Sequence, residues 1–210
     1  KEKGVSTLKP RNIWFDEVVN RLNVDGRGKL LGAFKGDNLL LVITQKGLVK
    51  TLTPELSLHF DEDMIVLEKW NPNKPISAIY FDGEKEKYFG KRFLIEQTKR
   101  EDLFITEHPK STLEIVSTDW RPIFEIEFTK TRGKEVKPLL LINMEEFIAP
   151  KGIKALGNQL SSDKLKNILA KEPLPFEEPE DIVAEELEVY NPEDVSDERD
   201  TSHNDQPTLF

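Results

Sequence analysis

A recurring unit of strand, short polar turn and strand constrains the fold of this 210-residue chain most strongly. Its clearest copy spans residues 39–54. Residues 39–44 form a continuous aliphatic and β-branched run, which is typical of a strand buried on both faces. A turn follows in which Gly47 can adopt the positive φ that a hairpin needs. Residues 48–53 then alternate in the manner of a returning strand, and Pro54 ends the pairing.

The same unit recurs with variation along the chain. The copies are about 35–45 residues apart, a period typical of propeller-like blades. From periodicity alone, the alternative is an irregular antiparallel sandwich whose hairpins merely look alike. The further copies are predicted as a hairpin of residues 76–81 and 88–95, a hairpin of residues 113–117 and 123–130, and a unit of residues 136–143, 147–148 and 151–156.

Two short helical features are predicted outside the strands. Residues 16–22 form a candidate helical turn, and Ser161, Ser162 and Asp163 are candidate caps of a short helix that continues to Ala170. Residues 23–29 contain two glycines beside Arg27 and Lys29, but they lack the spacing of a nucleotide-binding phosphate loop. This segment is therefore predicted as a basic turn between strands.

Charge divides the chain into two predicted domains. The overall charge is -9, yet residues 172–210 hold fourteen Asp or Glu against a single Arg, a local charge of -13. Residues 1–171 hold 29 Lys or Arg against 25 Asp or Glu, a charge of +4. The acidic segment is interrupted by prolines and poor in aromatic residues, as disordered segments are. We therefore expect a globular domain at 1–171 and a disordered acidic tail at 172–210.

The sequence lacks the signatures of several other protein classes. No apolar run approaches the roughly 20 residues that a membrane helix needs. The absence of cysteine suits a reducing cytoplasm, and the three scattered histidines form no ligand cluster. No nucleophile elbow, zinc-protease motif or dinucleotide fingerprint is present. We therefore expect neither catalytic residues, nor a metal site, nor a cofactor.

Cations recur at or just beyond the predicted turns. In a ring of blades they would form a broken basic belt, which suits a bent phosphate backbone better than one base sequence. The alternative is that they are ordinary solvated hairpin tips. The candidate DNA-binding residues are Lys9, Arg11, Lys46, Lys50, Lys91, Arg92, Lys130, Arg132, Lys134, Lys151 and Lys154.

A family resemblance supports the DNA-binding interpretation. The pattern Ile43-Thr44-x-x-Gly47-x-x-Lys50-Thr51 resembles the blade signature of the C-terminal β-pinwheel domain of bacterial type IIA topoisomerase A subunits. Residues 12–15, 21–28, 64–82 and 151–160 are similar to the topoisomerase IV A subunit of the Bacteroidetes type. The similarity covers about residues 1–170.

The resemblance implies an all-β, propeller-like pinwheel of about four antiparallel blades with swapped outer strands, in an incomplete or open ring. It implies double-stranded DNA on the perimeter, and an ATPase B subunit reached through the rest of the A subunit. It also implies a cytoplasmic, nucleoid-associated protein whose catalytic tyrosine module lies upstream. The gyrase box Gln-Arg-Arg-Gly-Gly-Lys-Gly is absent, which favours topoisomerase IV over gyrase. A propeller-like protein-docking module remains the alternative function.

The last residues carry one more short motif. Gln206, Leu209 and Phe210 resemble the peptide by which bacterial proteins dock on the replicative sliding clamp. Two apolar anchors at the end of a tether could form a weak contact of this kind. The clamp is therefore a predicted partner.

Overall fold

The computed structural model describes residues 9–98, 100–133 and 135–177. These residues form fifteen strands and one short helix, and none of their helices is long and apolar enough to cross a membrane. In chain order the elements are β1 Arg11–Asp16, β2 Arg21–Asn23, β3 Lys29–Phe34, β4 Leu40–Thr44, β5 Leu48–Leu52, β6 Met64–Lys69, β7 Ile76–Asp82, β8 Lys87–Leu94, β9 Asp102–Leu103, β10 Thr112–Ser117, β11 Ile123–Phe128, β12 Leu140–Asn143, α1 Met144–Phe147, β13 Lys151–Gly152, β14 Asn158–Ser161 and β15 Leu165–Lys171.

The strands form four sheets, which we name A to D in chain order. Sheet A has the order β2-β1-β3, and sheet B the order β6-β4-β5-β9. Sheet C has the order β10-β7-β8-β13 with β14 also paired to β8, and sheet D the order β12-β11-β15. Except for the parallel pair of β13 and β8, the pairs are antiparallel. Each sheet is therefore one blade-like unit.

Neighbouring sheets exchange strands by one repeated rule. After the hairpin of one sheet, the next segment of the chain pairs with a strand of the preceding sheet. The strand that follows this segment then pairs with the first strand of the hairpin. After β7 and β8 it adds β9 to β5 of sheet B, and β10 then returns to β7. After β11 and β12 it adds β13 and β14 to β8, and β15 returns to β11. Between β5 and β6, His59 makes a single antiparallel bridge to Arg21 of sheet A.

The core explains why residues 39–44 are apolar without interruption. Leu40 and Val42 pack with sheet A, whereas Leu41 and Ile43 pack with sheet C. Both faces of β4 are therefore buried, as predicted from the sequence. The turn after β4 is also as predicted, because Gly47 has a φ of +76°.

The described sheets form an open row. Three core clusters join A to B, B to C, and C to D, and within the described ranges no core cluster joins A to D. The inner sheets are covered on both faces, whereas sheet D exposes Leu141 and Leu169 on its outer face. The fold is thus an all-β, pinwheel-like arrangement of antiparallel sheets, which confirms the predicted fold class.

Two of the four predicted hairpins have different partners from those expected. The hairpins β4–β5 and β7–β8 are confirmed. The predicted hairpin of residues 113–117 and 123–130 is wrong, because β10 pairs with β7 while β11 pairs with β12 and β15. In the fourth unit β12 begins only at Leu140, after Pro138, which lacks the N–H that a ladder needs. Lys151 lies opposite Phe93 in sheet C instead of extending sheet D.

The helix predicted up to Ala170 is also wrong. Its apolar spacing fits a helical face, but residues 165–171 form β15 along the whole of β11. The main-chain N–H of Asp163 donates to Ser161 Oγ at 2.9 Å, so this serine closes a turn between strands. The four-residue helix α1 was not predicted; it is capped by Asn143, whose Oδ1 accepts from the N–H of Glu145 at 3.1 Å.

The other predicted helical turn, at residues 16–22, is replaced by the turn and strand that follow β1. Strand β1 continues to Asp16, and β2 begins at Arg21. Beyond β15, the main-chain N–H of Leu174 donates to Arg121 O at 2.9 Å, and the ring of Phe176 stacks on Trp120 with 4.3 Å between centroids. The predicted boundary at 171/172 stays a prediction, and most of the acidic tail lies outside the described residues.

Candidate nucleic-acid interface

The ten predicted cations that the structure describes fall into three groups by burial and pairing. Lys91 and Arg92 are buried. Lys46, Lys50 and Lys154 each lie within 4 Å of a carboxylate oxygen. The third group is exposed, and within residues 9–98, 100–133 and 135–177 it forms no ion pair; we call it the free cations. The free cations are Lys9, Arg11, Lys130, Arg132 and Lys151.

The paired cations surround the exchanged strand β9. Lys50 Nζ lies 2.6 Å from Glu101 Oε1, and Lys154 Nζ lies 3.7 Å from Asp102 Oδ1. Lys46 Nζ lies 3.3 Å from Asp63 Oδ2 and lines the same small surface pocket as Leu103. These exposed ion pairs contribute little to stability, and a phosphate could replace a carboxylate in each. Carboxylates therefore reduce the positive charge of this part of the surface.

Lys91 is buried and connects two of the exchanged segments by hydrogen bonds. Its Nζ donates to Phe104 O at 2.8 Å and to Ile153 O at 2.5 Å, and it lies 5.4 Å from the centroid of the Phe93 ring. Burial, assisted by the nearby charge of Lys154, lowers the pKa of Lys91 to about 8. The lysine joins the segment after β9 to the segment after β13. Because Lys91 is enclosed, it cannot reach a phosphate in this conformation.

Arg92, the next residue of β8, is also buried. Its Nη2 donates to Trp120 O at 2.6 Å, while its Nε is buried and makes no hydrogen bond to a described residue. Burial lowers the pKa of Arg92, and the charge of Glu145 opposes that shift. Arg92 therefore fixes the segment between β10 and β11 to sheet C. The sequence gave no sign that both cations would be buried.

The long turn between β11 and β12 is the most basic part of sheet D. Lys130 and Arg132 are exposed there, whereas Lys134 lies outside the described residues. Lys137, which was not among the predicted site residues, forms an ion pair with Asp163 and lies 5.2 Å from the centroid of the Phe128 ring. That contact fixes the end of the turn while the two free cations extend into solvent.

Residues 23–29 form a second basic loop, whose cations were not among the predicted site residues. The buried side chain of Asn23 donates to Arg27 O at 2.8 Å and accepts from the N–H groups of Asp25 and Arg27 at 3.1 and 3.0 Å. These bonds fix residues 23–27 in one conformation and leave Arg27 and Lys29 exposed. The signal in the sequence was the asparagine four residues before the arginine, with glycines interleaved. Arg27 Nη2 lies 3.4 Å from Asp25 Oδ2, so Arg27 is a paired cation, and Lys29 is the further unpaired cation here among the described residues.

The geometry defines a class of protein. Exposed cations lie at the start of β1, on the turn between β11 and β12 and on β13. The only helix in the described ranges has four residues, too short to read bases from a groove. Such a surface can contact phosphates at several points without selecting a base sequence. The chain is an all-β, strand-exchanged pinwheel-like domain with exposed cations on its surface.

Comparison with known proteins gives the family. Residues 21–172 match the family described as Topoisomerase C-terminal domain, Bacteroidota, so the chain belongs to that family and is part of a DNA topoisomerase. The match covers all four sheets except β1 of sheet A, which lies before the first matched residue. The chain has no match among curated proteins.

Proposed function

We propose that this chain is the non-catalytic, DNA-binding C-terminal domain of the A subunit of a topoisomerase IV-type enzyme. It binds and bends duplex DNA through the free cations, without preference for sequence, and so presents DNA for ATP-dependent strand passage. The B subunit that hydrolyses ATP is reached through the remainder of the A subunit. The domain acts in the cytoplasm at the nucleoid and needs no cofactor of its own.

The observation that carries this proposal is the group of five free cations on a domain of the topoisomerase family. Each can exchange a bound counterion for a DNA phosphate. They lie in three places, at the start of β1, on the turn between β11 and β12 and on β13, which favours an extended path for the DNA. Topoisomerase IV is preferred to gyrase because the Gln-Arg-Arg-Gly-Gly-Lys-Gly box is absent from the sequence. A protein-docking role would not require exposed cations at several places along the chain.

The basic turn provides the direct test. Replacing Lys130 and Arg132 by Ala should weaken binding to all duplex sequences. It should also flatten the plot of log affinity against log salt by up to about 2, because each lost phosphate contact removes about 0.9 released counterion. The side chains make no contact that the fold needs, so thermal unfolding should be unchanged. Fluorescence anisotropy with two unrelated duplexes at several salt concentrations measures the effect.

The matched control removes the same charge elsewhere on sheet D. Lys166 and Lys171 lie on β15, where Lys166 Nζ is 2.6 Å from Glu127 Oε1 and Lys171 Nζ is 3.5 Å from Glu125 Oε2. Replacing both by Ala should leave the salt slope almost unchanged. Equal slopes for the two double variants would show that net charge alone matters, and would contradict an interface at the basic turn.

The acidic tail and the clamp motif are separate parts of the proposal and lie outside the described residues. The tail, with a local charge of -13, competes with DNA for the free cations. Gln206, Leu209 and Phe210 contact the replicative sliding clamp and would bring the topoisomerase to the replication fork. Failure of a peptide of residues 196–210 to bind purified clamp at about 100 μM would refute the clamp contact.

A further inference from the structure

The exchange of strands leaves the edge of one strand open. In sheets A, B and C, the second strand of the hairpin has an antiparallel partner on its outer side: the His59 bridge for β2, β9 for β5, and β14 for β8. The corresponding strand of sheet D is β12, and among the described residues it pairs with β11 alone. Its outer edge is therefore available there to a further antiparallel strand.

The hydrogen bonds of β12 show which main-chain groups this edge presents. The N–H of Met144 donates to Pro122 O at 3.1 Å, in the same register that pairs β11 with β12. Alternate residues of an antiparallel strand bond to a given neighbour, so the even-numbered residues of β12 bond to β11. The N–H and C=O of Leu141 then point to the outer edge, and Leu139, directly before the strand, continues the alternation. The two outward-bonding residues lie on either side of Leu140.

The side chains along this edge are apolar. Leu139 and Leu141 are 60% and 61% exposed, and Leu140 between them lies on the opposite face of the strand. Glu125, which lies opposite Leu141 on β11, has its Oε2 3.5 Å from Lys171 Nζ. The edge thus has exposed aliphatic side chains with no unpaired charge beside them, which makes it a template for another strand.

We propose that the outer edge of β12 pairs with the same edge of a second copy of this chain, about a two-fold axis beside Leu140. A two-fold axis relates the two edges in antiparallel fashion. The exchanged strands β9 and β14 are likewise antiparallel to their hosts. The two copies of sheet D then form one continuous sheet, and the pairing does not depend on DNA binding.

Self-complementarity selects a second copy as the occupant. In this register Leu139 lies opposite the partner's Leu141, and each such pair can form two main-chain hydrogen bonds. Leu140 lies opposite the partner's Leu140 on the other face, so every cross-strand pair joins two leucines. Moving the partner by two residues would instead place Leu139 opposite Asn143, whose side chain caps α1. The edge therefore fits its own copy in one register.

Sedimentation velocity of the full chain tests the association. The contact is small, so we expect a dissociation constant on the order of 10 to 100 μM. Measurements between about 5 and 500 μM should show a shift from monomer to dimer. Salt of about 0.3 M screens the repulsion between copies that each carry a charge of -9. A monomer throughout this range would overturn the proposal.

Two matched variants locate the contact. Leu141 and Leu169 both lie opposite Glu125 on the outer face of sheet D, one on each side of β11. Leu141→Lys should weaken dimerisation by at least about tenfold, because it places a charge in the strand pairing, whereas Leu169→Lys should leave it unchanged. Equal weakening by both would show that the outer faces meet instead of the edges. Unaltered dimerisation in both would assign the contact to another surface, and either result contradicts the proposal.

Disulfide formation tests the register, because the chain contains no cysteine. Leu140→Cys places two thiols at a non-hydrogen-bonded pair on the axis, where Cα atoms about 4.5 Å apart permit a disulfide. Under mild oxidation, dimers should cross-link at least about tenfold faster than for Leu169→Cys, although Leu169 is the more exposed residue, at 48% against 38%. Cross-linking from residue 140 that is no faster than from residue 169 would refute the register.

Discussion

Lys91 illustrates how the sequence and the structure assign one residue to different roles. Its position after a predicted turn suggested a phosphate contact, yet its side chain is enclosed and donates to the carbonyls of Phe104 and Ile153. No carboxylate within the described ranges forms an ion pair with it, so its charge is stabilised by main-chain dipoles and the face of the Phe93 ring. A buried cation of this kind makes stability depend on pH.

The pH dependence has a definite sign. The pKa of Lys91 is lowered from 10.5 to about 8, so between those values the unfolded chain binds more protons than the folded chain. The free energy of unfolding should therefore rise with pH in this window and be independent of this group below it. Relative to Lys91→Met, the unsubstituted chain should gain about 1–2 kcal/mol between pH 8 and about pH 10. Urea unfolding measures the difference.

The exposed Lys35→Met variant controls for the loss of one charge. Its stability relative to the unsubstituted chain should stay almost constant over the same range of pH. A constant difference between the unsubstituted chain and Lys91→Met would show that Lys91 carries the same protonation in the folded and unfolded chains.

At the scale of elements, the exchanged segments hold the sheets together. Strand β9 has only two residues, but Phe104 directly after it is 1% exposed and packs between sheets B and C. Its ring centroid lies 5.0 Å from that of Phe93, and its N–H donates to Gly47 O at 2.9 Å. A segment contributed by one unit therefore completes the core of its neighbour.

Truncation of this side chain should be costly. Phe104→Ala leaves a cavity between two sheets and should lower the free energy of unfolding by about 3–5 kcal/mol. Leu94→Ala, at a side chain that is 40% exposed, should cost about 1 kcal/mol or less. The midpoints of urea unfolding compare the two variants. A similar small loss for both would mean that the exchanged segment is dispensable.

Most of the longer strands and the pairings within the hairpins β4–β5 and β7–β8 were predictable from the sequence, but the pairings between units were not. The aliphatic run at β4 predicts a strand buried on both faces, and the alternation of apolar and polar residues at β11 predicts a strand buried on one face. The exchange of β9, β13 and β14 depends on contacts between residues far apart in the chain, which leave no local pattern. The strand β15 was mistaken for a helix because Ser161, Ser162 and Asp163 are residues that often cap a helix, and pairing with β11 outweighs that local preference.

For the whole molecule, the candidate interface was predicted in outline only. Lys130, Arg132 and Lys151 lie on the surface as expected of basic turns, whereas Lys91 and Arg92 are internal. The sequence shows where along the chain the cations occur. It does not show which of them pair with carboxylates or carbonyl oxygens, since those partners come from segments that are distant in the sequence. The five free cations and the basic loop at Arg27 are the surface on which the proposed function depends.

The salt dependence of DNA binding by the intact chain tests the central claim most directly. Affinity for two duplexes of equal length and unrelated sequence is measured by anisotropy between about 50 and 200 mM salt. The account predicts equal affinities within about threefold and a slope of log affinity against log salt of roughly -3 to -5, from about three to five phosphate contacts. Absence of binding, a slope near zero, or strong preference for one duplex would contradict it.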